Sequence, residues 1–291
     1  MPTAKTSLRR LVAEEKPLIT PLAHDALSAR MIEQAGFRSI AIGGSAMLAA
    51  RYGLPDIGLA ALGEMAAGVQ DIIAATGLPV MVDGDDGYGD LESVAHMVEV
   101  YARLGASGIV LEDQLRGKKQ PGDSGAVGVA DVEDMVRKVK VAVAACSGTE
   151  IQIIARCDAY ALEGLDGAMR RAHRYLDAGA HGLFVPAIKT AAELARLGRE
   201  FNGRHLLTAV FEGRETWLPP AELYGMGFRQ VVFPGLLITR VAQCVHGALR
   251  QLRKHVAGEA PMPPLADAAQ AQENLRTALM FEKWLSIGRQ V

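Results

Sequence analysis

Eight short runs of β-forming residues recur along this chain, and each hands over to a longer amphipathic stretch. The runs are Leu18–Leu22, Ser39–Gly43, Pro79–Asp83, Gly108–Glu112, Ile151–Arg156, Gly182–Val185, His205–Val210 and Gln230–Phe233. Most are rich in Val, Ile and Leu with no polar alternation, the pattern of strands covered on both faces in a parallel sheet. Helical stretches between them include Asp25–Ala35, Leu62–Ala75, Leu91–Leu104, Asp131–Ala145 and Asp166–Ala178. Gly36, Gly77, Gly105 and Gly179 each close a helical stretch, at the position where a left-handed backbone is easiest for glycine. Gln34-Ala35-Gly36-Phe37, Arg103-Leu104-Gly105-Ala106 and Asp177-Ala178-Gly179-Ala180 share one exit pattern, a weak internal repeat. Eight such units predict an α/β fold, a (β/α)8 TIM-type barrel, for which about 250 residues is typical. An open doubly wound sheet would have fewer strands and a glycine-rich phosphate turn after the first. Here the first strand is followed by Ala23-His24-Asp25.

The barrel is therefore expected over residues 1–256, with a linker and packing helix over 257–291. Ala257–Pro264 is rich in helix breakers. Asp267–Ser286 reads as one extra helix with Asp267 as its N-cap. Ala271, Leu275, Ala278 and Leu279 share one side of it, a face that must be buried on its own barrel or on a neighbouring subunit. At 49% hydrophobic residues and a net charge of −2 the chain is not disordered. Its 31 basic residues are balanced by 33 acidic ones, so bulk charge points to no nucleic-acid partner. Apolar runs fall far short of the roughly 20 residues needed to cross a bilayer, so no membrane role is expected. Cys146, Cys157 and Cys244 form no disulfide or zinc pattern, and Met1–Lys16 has no apolar leader core, which together suggest the cytoplasm.

In such barrels the chemistry sits at the C-terminal strand ends. The third strand ends in Asp83-Gly84-Asp85-Asp86-Gly87-Tyr88-Gly89-Asp90, and carboxylates crowded at a strand end are costly unless a cation or hydrogen bonds compensate them. Hard oxygen donors suit Mg²⁺ or Mn²⁺. The fourth strand adds Glu112 and Asp113, and the fifth adds Arg156, whose planar fork suits a carboxylate. Alone, an acidic glycine-rich loop is as readily solvated surface. Three consecutive strands ending in acid, acid and arginine favour a divalent ion with few protein ligands, chelating a small anionic substrate.

The segments Ala23–Ala29, Gly53-Leu54-Pro55-Asp56, Asp83–Gly89, Glu112-Asp113-Gln114 and Ala155–Ala159, in this order, resemble the isocitrate lyase / phosphoenolpyruvate mutase superfamily. The likeness is to its 2-methylisocitrate lyase, dimethylmalate lyase and carboxyphosphonoenolpyruvate mutase branch and covers about residues 8–255. It implies a Mg²⁺-dependent barrel, a homotetramer that exchanges its last helix, and bond making or breaking beside a 2-oxo or 2-hydroxy acid through an enolate held on the metal. It assigns Asp83, Asp85 and Glu112 to the metal, Asp83 and Arg156 to the substrate, and Gly43, Gly44 and Ser45 to a loop gripping the substrate carboxylate. Asp56 would face the reacting end. Tyr88 would place its hydroxyl on the substrate or a metal water, Glu212 would contact the substrate, and Arg240 would be a second anion contact.

The branch carries a Cys proton donor two residues after a Lys, and this chain has Lys118-Lys119-Gln120-Pro121-Gly122. Gln120 stands at the Cys position and Gly122 at the place of a His; Lys118 remains. Carbon–carbon cleavage or decarboxylation of a 2-oxo or 2-hydroxy di- or tricarboxylate, as of oxaloacetate, is the favoured expectation, because metal chelation does most of the stabilisation. Phosphonate or carboxyphosphonate chemistry using Arg116, Lys118 and Lys119 is the alternative, although those cations read equally as a solvated charge run. A silent acid-binding barrel is a third reading, opposed by the retained acids and arginine.

Overall fold

A computed structural model describes residues 7–118, 127–211 and 217–289. Two compact units divide the chain, Met1–Gly235 and Leu236–Val291. The first is a closed parallel barrel in the order β1 to β8, with β1 paired to both β2 and β8. Its strands are β1 Leu18–Ala23, β2 Ile40–Ile42, β3 Val80–Asp83, β4 Gly108–Glu112, β5 Gln152–Arg156, β6 Gly182–Phe184, β7 His205–Ala209 and β8 Gln230–Phe233. Each lies on one of the eight apolar runs, differing at most by end residues. Around it run α1 Leu8–Glu14, α2 Ala26–Gln34, α3 Gly44–Tyr52, α4 Leu62–Ala75, α5 Leu91–Leu104, α6 Val132–Ala145, α7 Tyr160–Asp177, α8 Ala191–Glu200 and α9 Pro220–Met226. The (β/α)8 barrel read from the sequence is the fold.

Helix α5 shows how the sequence builds one layer. Asp90 caps it, its carboxylate accepting the Ser93 amide at 3.0 Å, and Gly105 ends it in left-handed backbone at φ 91°. Val94, Met97, Val98 and Tyr101 fall on one stripe and are buried against the barrel. Each such side chain contributes roughly 1.5–3 kcal/mol of apolar burial. Gly36 and Gly179 repeat the left-handed exit at φ 86° and 104°. Gly77 does not: α4 already ends on Thr76 in extended backbone, and the Gly77 amide donates to the Glu33 carboxylate at 3.3 Å. A side chain from α2 thus does the capping that a left-handed glycine was expected to do.

Two packed layers hold the barrel. Ile40, Ile42, Val80, Val82, Ile109, Leu111, Ile153 and Leu183 are fully or nearly fully buried outside the interior cluster. That cluster joins Leu18, Ala41, Met81, Val110, Ile154, Phe184, Leu207 and Val232 to Leu8, Leu11 and Val12 of α1. The short first helix therefore plugs the barrel at the N-terminal strand ends, with Gly108 at the start of β4 leaving no room for a Cβ beside Leu8, 2.8 Å away. A buried chain of polar groups crosses the same end. His205 meets Gln230 at 2.8 Å, the Gln230 amide donates to Thr20 at 2.8 Å, and Thr20 meets Ser39 at 2.7 Å. With the lower end filled, the free strand ends are the C-terminal ones.

The second unit holds α10 Leu236–Val256, α11 Ala268–Ala278 and α12 Phe281–Gly288. The single helix expected over Asp267–Ser286 is two, broken where Met280 turns left-handed at φ 55°. Arg276 crosses the break, 3.0 Å from Glu282 and with its guanidinium 4.5 Å from the Phe281 ring centroid. Residues six apart on a continuous helix are separated by about 120° and about 9 Å, and the bend brings this pair together. Asp267 stands before α11, but its side chain makes no capping bond.

Candidate active site

The acidic run after β3 is sorted by the backbone into different tasks. Asp83 ends the strand, where its Oδ2 accepts the Gly44 amide at 3.0 Å and its Oδ1 accepts the Asp85 amide at 3.0 Å. Asp85 is buried and left-handed at φ 53°, and Tyr88 is left-handed at φ 61°. Non-glycine residues held there cost energy and concentrate at functional sites. The Asp85 carbonyl accepts the Glu112 amide at 2.9 Å, which ties this turn to the end of β4. Asp86 accepts Arg116 and the Tyr88 amide, and Asp90 is the cap of α5.

Registry brings the next strands in. Glu112 on β4 is directly opposite Arg156 on β5, with Nη1 2.9 Å from Oε2. The other arm of Arg156 donates to Asp158 at 2.8 Å, and among the described residues its buried Nε has no hydrogen-bond partner. Burial alone would weaken the charge on Arg156, but Asp158 and Glu112 raise its pKa well above the usual arginine value. Asp113, beside Glu112, turns away from this group. It accepts the Tyr175 hydroxyl and the Asp158 amide, each at 2.7 Å, and burial followed by Asp158 raises its pKa. Asp113 therefore anchors α7 rather than joining the acids at the strand ends. Cys157 also turns away: its buried thiol lies 3.7 Å from the Ala168 carbonyl of α7, and burial pushes its pKa up.

Gly43 and Gly44, expected in a loop, are the N-cap and first residue of α3, with exposed Ser45 following. A Cβ on Gly44 would sit 3.2 Å from both Asp56 Oδ2 and Asp83 Oδ2. Asp56 and Asp83 thus face each other across a backbone kept bare, beside the positive end of a helix dipole. The Tyr88 and Tyr101 hydroxyls meet at 3.0 Å, and the Tyr88 ring lies under the Arg116 guanidinium. Arg240 is on α10, in the second unit. Lys118 closes the 3-10 turn Arg116–Lys118, and Gln120 and Glu212 lie outside the described residues.

The sequence reading missed the roles of two groups. Arg116, grouped there with the cations of a charge run, reaches both Asp85 and Asp86; only the uncompensated acids of the turn hinted that a cation had to come from somewhere. Asp158, two residues beyond Arg156, orients that guanidinium, and the Arg156-Cys157-Asp158 spacing carried the signal.

Among the described residues no three His, Cys, Asp or Glu side chains form a ready metal cage. The donor set still fits a hard cation. Asp83, Asp85 and Glu112 supply oxygen at neighbouring strand ends, and Mg²⁺ binds through one or two carboxylates with water and substrate completing its shell. Gly44 keeps the space between Asp83 and Asp56 clear.

The chain matches the Phosphoenolpyruvate phosphomutase family over residues 8–253. It belongs to that family. With it comes membership of the PEP mutase/isocitrate lyase superfamily. It is 34% identical to 2,3-dimethylmalate lyase of Eubacterium barkeri over 227 residues, 78% of each chain. It is 34% identical to 2-methylisocitrate lyase of Halalkalibacterium halodurans over 246 residues, 84% of this chain and 80% of the relative. Among solved structures, oxaloacetate acetylhydrolase with the inhibitor 3,3-difluorooxalacetate superposes with a TM-score of 0.85 at 27% identity, covering 97% of this chain and 96% of that one. Lyases recur among these family relatives, and the chain stands with the carbon–carbon lyases of the superfamily. Among the described residues no helix is long and apolar enough to cross a membrane.

Proposed function

We propose that this protein is a divalent-metal-dependent enzyme that cleaves or decarboxylates a 2-oxo or 2-hydroxy di- or tricarboxylate. The observation that supports it most is the meeting of Asp83, Asp85, Glu112 and Arg156 at three consecutive strand ends, with Glu112 and Arg156 2.9 Å apart. Asp83, Asp85 and Glu112 would hold Mg²⁺ or Mn²⁺, directly or through water. A bound divalent ion supplies charge stabilisation for the oxyanion that develops at C2 when the neighbouring bond breaks.

The chain's own residues do the rest. Arg156 is preoriented by Glu112 and Asp158, and its guanidinium, one-fifth exposed, keeps further N–H donors on Nη1 and Nη2 for a substrate carboxylate. The first turn of α3 presents the Ser45 amide and a helix N-terminus to the same anion, with the Gly44 amide already given to Asp83. Asp56, across Gly44 from Asp83, faces the bond that breaks and orients the departing end. Gln120 has no acidic proton to give, so the carbanion is protonated by water or another acid, which suits decarboxylation of an oxaloacetate-like acid.

Free Cys146, Cys157 and Cys244 suit the reducing cytoplasm. Exposed Val245, Leu249, Leu252, Val256 and Trp284 of the second unit support a homotetramer that covers them by helix exchange. Oxaloacetate, 2-methylisocitrate, 2,3-dimethylmalate and phosphonopyruvate should be offered with Mg²⁺, and pyruvate and phosphate measured. Pyruvate from one of the first three is expected. Phosphate release from phosphonopyruvate alone would replace this reading with phosphorus–carbon chemistry.

A further inference from the structure

Arg116 is fixed by contacts on every side. Nε and Nη2 donate to Asp86 at 3.1 and 3.0 Å, Nη2 donates to Asp85 at 2.9 Å, and Nη1 donates to the Ala60 carbonyl at 2.9 Å. The guanidinium lies 4.9 Å from the Tyr88 ring centroid, and the side chain is one quarter exposed. Gly58, left-handed at φ 81°, lets the chain pass within 3.0 Å of the Arg116 stem where a Cβ would stand. Lys138 holds the same turn by donating to the Asp86 carbonyl at 2.6 Å. Asp85, the best buried aspartate of the turn, therefore carries a permanent cation supplied by the chain itself.

A carboxylate shared between a guanidinium and a divalent ion brings two positive charges within a few ångströms. In a partly buried site that repulsion is weakly screened, and Asp86 offsets only part of it. We propose that Arg116 is an internal counter-ion for Asp85 whose charge lowers the affinity of the site for its divalent ion. Arg116 is thus a positioning residue whose charge sets how much cation the enzyme needs. The inference rests on the metal reading given above.

Mn²⁺ titrated into the full-length protein, followed by calorimetry and by the electron-spin signal of free Mn²⁺, tests it without any substrate. Arg116→Gln and Arg116→Met are expected to bind Mn²⁺ at least tenfold more tightly than the parent, and Arg116→Lys to stay within about threefold of it. Saturating Mn²⁺ should also raise the melting temperature of the folded Gln or Met variant more than that of the parent. A merely structural arginine would give the opposite sign, since its loss would loosen the site. Parent and uncharged variants binding equally, or the variants binding more weakly, would overturn the inference and leave the metal reading standing. No binding by any of the folded proteins would overturn both.

Discussion

Glu112 and Arg156 are cross-strand partners in exact register on β4 and β5, and their side chains meet at 2.9 Å with the carboxylate nearly sealed from water. A charge pair so placed is a weak source of stability but a strong constraint on geometry, because removing either member strands the other. Asp158 fixes the second arm, so the guanidinium plane is set before any substrate arrives.

Replacing Arg156 by Lys keeps the charge and removes the fork. The ammonium cannot satisfy Glu112, Asp158 and a substrate together. We expect kcat/KM to fall by about 100-fold, most of it in KM, and steady-state kinetics on the substrate found by the screen measure it. An unchanged KM would remove Arg156 from substrate binding.

Asp85→Ala should abolish metal-dependent turnover, with activity down at least about 1000-fold, while circular dichroism stays native. Retained activity at saturating Mg²⁺ would take Asp85 out of the metal site.

Gly44→Ala places a methyl group 3.2 Å from the Asp56 and Asp83 oxygens. The two carboxylates must move apart by a few tenths of an ångström. The expected result is about a tenfold loss of kcat/KM with a melting temperature changed by only a few degrees. Equal losses in both would mean that the glycine serves packing alone.

His205 predicts the acid limb of stability. Burial pushes its pKa down to about 4, whereas the unfolded ring titrates near 6.5. The unfolded chain binds the proton more tightly, so stability is complete above about pH 6.5 and is lost as pH falls toward 4. Urea midpoints measured across this window should decline on acidification, and His205→Gln should flatten the decline. The same slope in the variant would assign it to other groups.

The barrel was legible because each strand is an apolar run bounded by turn residues, and Gly108–Glu112 and Gln230–Phe233 match the observed strands residue for residue. What escaped was set by tertiary contact. The plug formed by Leu8, Leu11 and Val12 hides in a charged N-terminal stretch, since its purpose appears only when a barrel stands beneath it. The bend at Met280 brings Arg276 to Glu282, a pairing visible only once the backbone turns, and the extended exit at Thr76 goes with Glu33 on another helix. In the site, the acids at the ends of β3 and β4 and the arginine of β5 could be picked out in advance because a strand end is a position along the chain. The pairing of Arg116 with Asp85, 31 residues apart, could not, because a cation's choice among several nearby carboxylates is made in three dimensions.

Leu8, Leu11 and Val12 of α1 lengthen a column that Leu18, Met81, Val110, Ile154 and Phe184 already fill, so the barrel is solid from its N-terminal mouth inward. A small acid can reach the acids and arginine of β3 to β5 from the opposite rim, and whatever forms there leaves by that rim too.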